Sequence, residues 1–110
     1  MSSKVLVIIA TSEKEKALTG LMYAKNTISR EWLEDLKVIF FGPSERLMVA
    51  DEDVANSAKE IAAIGGAIAC RFLSDRDGVS EEIERLGVEV EYVGTIVSDL
   101  IKDGYVPMLW

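Results

Sequence analysis

The chain carries one thiol, Cys70, and no histidine. The cysteine lies in Gly65-Gly66-Ala67-Ile68-Ala69-Cys70-Arg71-Phe72-Leu73-Ser74-Asp75-Arg76-Asp77-Gly78, where a short apolar run after a glycine pair stops at the cysteine. Such a run, closed by polar residues and a glycine, reads as a buried parallel strand running into a loop. Cys70 then stands at the carboxyl end of that strand, the edge at which open α/β sheets bind ligands. A free thiol is only about 3% ionised at pH 7, so a nucleophile there needs nearby positive charge or a helix amino terminus. Arg71 and Arg76 flank Cys70 and supply charge, while Asp75 and Asp77 oppose it. The same cysteine also reads as a small filler of the strand end, because unpaired cysteines are among the most buried residue types.

Two further groups belong to the same edge. Thr11 and Ser12 follow an apolar strand and present hydroxyls that suit a small anion or, more commonly, a helix cap. Gly42-Pro43-Ser44 follows a second strand and reads as a turn that doubles as a candidate binding loop. Gly65-Gly66 fits neither G-x-G-x-x-G nor G-x-x-x-x-G-K-[ST], so no nucleotide-phosphate cradle is expected. Glu81, Glu82 and Glu84 read as a solvated helix face, and nothing marks an acid/base pair.

Composition removes whole classes of function. Without histidine there is no Ser-His-Asp or Cys-His nucleophile pair and no imidazole-held metal. A single cysteine excludes an intrachain disulfide and a thiolate cluster built from one chain. No cofactor and no metal are therefore expected. A net charge of −7 repels phosphate backbones, and no Lys/Arg stripe offsets it, so nucleic acid is not an expected partner. The longest apolar run, Val5 to Ala10, is far short of the roughly 20 residues that cross a bilayer, and too short for a signal-peptide core. The reading is a soluble, cytoplasmic protein with no membrane partner. At 110 residues, 49% apolar and 28% charged, residues 1–110 make one domain with one core.

These residues must be positioned by alternating strands and helices. Lys4 to Ala10 is continuously apolar and β-branched, the pattern of a central strand covered on both faces. About Lys14 to Leu33 places Leu18, Leu21, Met22, Ile28 and Trp32 near one helical face. Asp35 to Phe41 is the second strand, Glu45 to Ala50 a short helical turn, and Asp51 to Ile64 a helix with a narrow face of small residues. After the third strand and the Cys70 loop, Val79 to Leu86 is a short helix, with Ser80 a candidate cap, stopped by Gly87. Val88-Glu89-Val90-Glu91-Tyr92 alternates apolar and acidic, as a strand with one wet face does. A helix through Ile96, Val97, Leu100 and Ile101 precedes the last strand, Tyr105 to Trp110, where Pro107 argues for a sheet edge. Five strands joined by helical crossovers predict a three-layer α/β/α fold with a parallel sheet of order 4-3-2-1-5. The apolar C-terminal run suits either an oligomer contact or core burial.

Four motifs stand in order along nearly the whole chain: Phe41-Gly42-Pro43-Ser44, Gly65-Gly66-Ala67-Ile68-Ala69-Cys70, Gly78-Val79-Ser80-Glu81-Glu82 and Leu100-Ile101-Lys102-Asp103-Gly104-Tyr105. Together they resemble the small DsrE/DsrF-like proteins, which include YchN-like and sulfur-relay subunits. The resemblance implies a three-layer sheet of the same strand order, a homo-oligomer of three or six chains, and sulfur handling. A cysteine at the end of the third strand accepts sulfane sulfur as a persulfide in members of known role, and Cys70 holds the matching position. The segment from Arg71 to Gly78 departs from the relay subunits, being more charged than the short small-residue helix start expected there.

Two functions follow as expectations. The first is a cysteine persulfide carrier or sulfurtransferase subunit, working with sulfur donor and acceptor proteins or small sulfane-sulfur compounds. The second is a non-catalytic homo-oligomeric binding or assembly module, with a small-anion or peptide site at the carboxyl edge.

Overall fold

The computed structural model describes residues 3–110. Strand β1 (Lys4–Ile9) is apolar at five successive positions, so both of its faces demand cover. It accordingly takes an interior place, between β2 (Asp35–Phe40) and β5 (Val106–Leu109). Strand β3 (Ile68–Cys70) adds to β2, and β4 (Glu89–Glu91) adds to β3. Every neighbouring pair is parallel, and the order β4-β3-β2-β1-β5 is the one expected from sequence.

The register sorts side chains into two layers. On one face Val7 and Ile9 of β1 stand beside Val38 and Phe40 of β2. They are covered by α1 (Lys14–Arg30), α2 (Ser44–Ala50), α3 (Glu52–Ile64) and α5 (Ser80–Arg85) through Leu21, Met48, Val54, Ile61 and Ile83. On the other face Leu6, Ile39 and Cys70 pack with α4 (Arg71–Arg76) through Leu73, and with α6 (Val93–Lys102) through Val93, Ile96, Val97 and Leu100. Small residues let α1 lie close to the sheet: a Cβ on Gly20 would stand 2.7 Å from Trp110 Cγ and 2.8 Å from Ile9 Cδ1. Trp110 therefore packs inward against α1 and Tyr23, whereas Val106 and Leu109 of β5 are 62% and 72% exposed.

Three local expectations are corrected. The first long helix ends at Arg30 rather than running to Leu33, because Glu31 turns left-handed (φ 54°) and its N–H closes on Ile28 and Thr27 carbonyls. Trp32 thus leaves the helix and its apolar face, and Met22 points outward. Ser80 does not cap α5; its hydroxyl donates to Asp75 instead. The segment after Cys70 is a short helix, α4, rather than a loop. Buried Ser74 ties it down by bonding to Arg71 O and to Ser80, and Leu73 inserts into the second core. Among the described residues, no helix is long and apolar enough to cross a membrane.

Candidate functional site

The carboxyl ends of β1 and β2 are locked together by the turn after β2. Gly42 sits at φ 113°, a conformation that favours glycine, and lets the chain double back. Phe41 N–H then reaches Ile9 O at 3.0 Å and Ser44 N–H reaches Ala10 O at 3.1 Å. Pro43 precedes α2 and is exposed, while Ser44 is fully buried and its hydroxyl donates to Ile9 O at 2.5 Å. The serine hydroxyl is spent on holding the turn and is turned away from solvent. Thr11 Oγ1 accepts the Glu13 N–H at 3.0 Å, and Ser12 is exposed. Neither residue caps α1, because the Glu13 carboxylate does so, accepting from the Glu15 and Lys16 amides.

Cys70 stands at the last position of β3 and immediately before α4, as the strand reading placed it. Its side chain makes no capping bond, and the residue is 5% exposed, a member of the apolar cluster that also holds Leu6, Ile39 and Val93. The two flanking arginines do not both attend it. Arg71 swings across to donate to Val90 O of β4 at 2.6 Å. Arg76 donates to Asp77 at 3.1 Å, a bond that raises its pKa, and the Cys70 thiol bears on it only through longer-range attraction. Arg46 joins the same aspartate at 2.9 Å, and Asp77 is held below the usual carboxylate range chiefly by the Arg76 bond.

The group that sequence reading missed is Glu45. An acid in the first turn of a short helix is an ordinary solvent-facing residue, yet this one is fully buried. Its Oε1 accepts the Gly42 N–H at 3.2 Å, and the Cys70 amide faces the same carboxylate. Its Oε2 has no hydrogen-bond partner. Burial, helped by Asp77, raises this carboxyl to about 7 against the pull of the Gly42 amide, Arg76 and the Cys70 amide. Buried groups with displaced titration and a specific charge neighbour mark candidate functional sites. Glu45 and Arg76 therefore join Cys70, Gly42 and Ser44 at one sheet edge, whereas Arg71 turns to β4 and Ser12 faces solvent.

A shallow cleft opens nearby between α4 and α5, lined by Asp75, Gly78, Ser80, Glu81, Glu82 and Arg85. Its lining is mainly acidic and does not include Cys70, so it suits neither an anion nor a thiol reagent on its way to the sulfur.

No family model matches the chain, and no curated protein matches it. Among solved structures it is similar to a conserved protein of unknown function from Bacteroides thetaiotaomicron, with 26% identity, a TM-score of 0.88, and coverage of 97% of this chain and 95% of that one.

Proposed function

We propose that the chain handles sulfur, with Cys70 accepting sulfane sulfur as a persulfide and passing it on, within a homo-oligomer. The observation that supports this is the position of the chain's one thiol: it ends an interior strand at the carboxyl edge, on a residue whose amide faces the buried Glu45 carboxyl, and it lies within the field of Arg76. In the loading step the Cys70 thiolate attacks the outer sulfur of a donor persulfide. The donor S–S bond breaks, its inner sulfur leaves as a thiolate that takes a proton from solvent, and Cys70 keeps the outer sulfur as Cys–S–SH. No external oxidant is required, because the sulfane sulfur is transferred at its existing oxidation level.

One observation favours the second reading, a non-catalytic binding or assembly module. Cys70 is 5% exposed within an apolar cluster, so a reagent reaches it only when part of that packing moves aside. Mass spectrometry after incubation with polysulfide or a persulfidated donor separates the two. Sulfur handling gives an adduct of about 32 Da at Cys70, absent in Cys70→Ala. A thiol that alkylates with a small maleimide yet gains no sulfur leaves the module reading standing. Light scattering of the same samples gives the number of chains per particle.

A further inference from the structure

The elements that enclose the Cys70 cluster differ in how firmly they are held. The cluster draws on the interior strands through Leu6 and Ile39, on α4 through Leu73, and on α6 through Val93, Ile96, Val97 and Leu100. Strands β1 and β2 are paired on both sides and cannot yield. Helix α4 is tied at both ends: Arg71 donates to Val90 O at 2.6 Å, Ser74 bonds Ser80 at 2.7 Å, and the cap residue Asp77 accepts from Arg46 of α2 at 2.9 Å. The carboxyl end of α6 is pinned too. Lys4 Nζ donates to Asp103 O at 3.0 Å, Tyr105 N–H closes on Leu100 O at 3.0 Å, and the Tyr105 hydroxyl donates to Asp35.

The amino end of α6 has no such hold. Cys70 pairs with Glu91 of β4, and Val93, two residues on, opens α6 and is buried in the cysteine's own cluster. At the cap position stands Tyr92, which is 65% exposed and offers the first amides of α6 no side-chain bond. Gly94 follows, the poorest helix former after proline, with nothing within 4 Å of a Cβ built on it. Its carbonyl accepts the Ser98 hydroxyl at 2.8 Å, a bond inside the helix of the kind that bends helices rather than anchoring them. A helix start whose amides lack a cap is the part of the helix that frays first.

We infer that the first turn of α6 is the gate to the Cys70 thiol: it unwinds from its uncapped start, lifts Val93 out of the cluster, and admits reagents at the carboxyl ends of β3 and β4 while the far end of the helix stays pinned. No covalent bond changes in the opening. A role for the gate in sulfur uptake rests on the reading of Cys70 proposed above, but an alkylating reagent tests the gate itself, whether or not sulfur is transferred.

The rate at which N-ethylmaleimide modifies Cys70 in the folded full chain, where opening and closing outpace the reaction, reports the open population. Tyr92→Ser supplies a cap and Gly94→Ala a better helix former, so the rate is expected to fall by about fivefold and about threefold. Asp51→Ala removes the cap of α3, on the opposite face of the sheet, and is expected to lower global stability yet leave the rate unchanged. Rates that ignore both α6 substitutions, or that rise in Asp51→Ala in step with its lost stability, overturn the gate. Should a variant fail to fold, amide exchange of the wild type decides. Val97 and Ser98 amides that exchange at least about tenfold faster than those of Ile101 and Lys102, corrected for intrinsic rates, support the gate, and equal protection overturns it.

Discussion

Ionising Glu45 inside the fold is harder than ionising it in the unfolded chain, so this residue makes stability fall as pH rises. Its folded value of about 7 lies above the ordinary 4.5, which means its contribution is complete below pH 4.5 and is lost as pH passes 7. The gap sets an upper bound of about 3 kcal/mol on the change. Asp35 behaves oppositely: burial pushes its carboxyl up, but the Tyr105 hydroxyl and Lys37 outweigh that and hold it low, so its contribution is present above 3.8 and lost in acid. Urea denaturation from pH 5 to 8 is expected to show a steadily falling midpoint in wild type and a much flatter one in Glu45→Gln. A wild-type midpoint constant across that range would remove the case for a displaced carboxyl. Cys70 offers a second test at this scale. In its apolar surroundings Cys70→Ala leaves a small void, whereas Cys70→Ser strands a hydroxyl and should cost about 1–3 kcal/mol. Thermal melts in which serine is tolerated as well as alanine would place the thiol in a wetter setting than the one described.

Packing at the level of helices turns on which glycines have room. Gly20 lies in α1 under Trp110 and Ile9, so Gly20→Ala should lower stability by about 1–3 kcal/mol through overpacking, despite alanine's better helix propensity. Gly94 lies in α6 with nothing within 4 Å of the added carbon, and Gly94→Ala should raise stability by about 0.5–1 kcal/mol. Differential scanning calorimetry showing the two substitutions moving the melting temperature in the same direction would refute this account of the α1 contact. Helix α3 is held at its start by Asp51, which accepts from the Asp53 and Val54 amides and pairs with Lys14 at 3.2 Å. The helix was written in the chain, which runs it from Asp51; that acid proves to be its cap, and α3 starts at Glu52. Helix α4 was not, because six mainly polar residues with no apolar period carry no local signal, and Ser74 and Leu73 find their partners only once the sheet exists. The burial of Glu45 was hidden for the same reason: nothing local distinguishes an acid that points to water from one that points at Gly42.

The topology of the whole molecule was legible because its strands differ in what covers them. Unbroken apolar residues in β1 require two covered faces, whereas the acidic alternation of Glu89 and Glu91 and the proline of β5 each require an edge. The β5 edge also shows how the proline works. Trp110 donates to Ile8 O and accepts from Ala10 N–H, so alternate residues of β5 face β1, and Pro107 and Leu109 present their backbone to the open side. At Pro107 that side has no N–H to offer a passing strand, which blunts a rim where Val106 and Leu109 are otherwise bare. Pro107→Val restores the donor without touching the core, since residue 107 is exposed. The variant should keep the wild-type far-ultraviolet circular dichroism yet form larger particles in light scattering as concentration rises, and more so in salt that screens the net charge of −7 on each copy. If wild type and Pro107→Val scatter alike at every concentration and salt, the missing donor is not what keeps this edge from pairing, and the guard must lie in the charge alone.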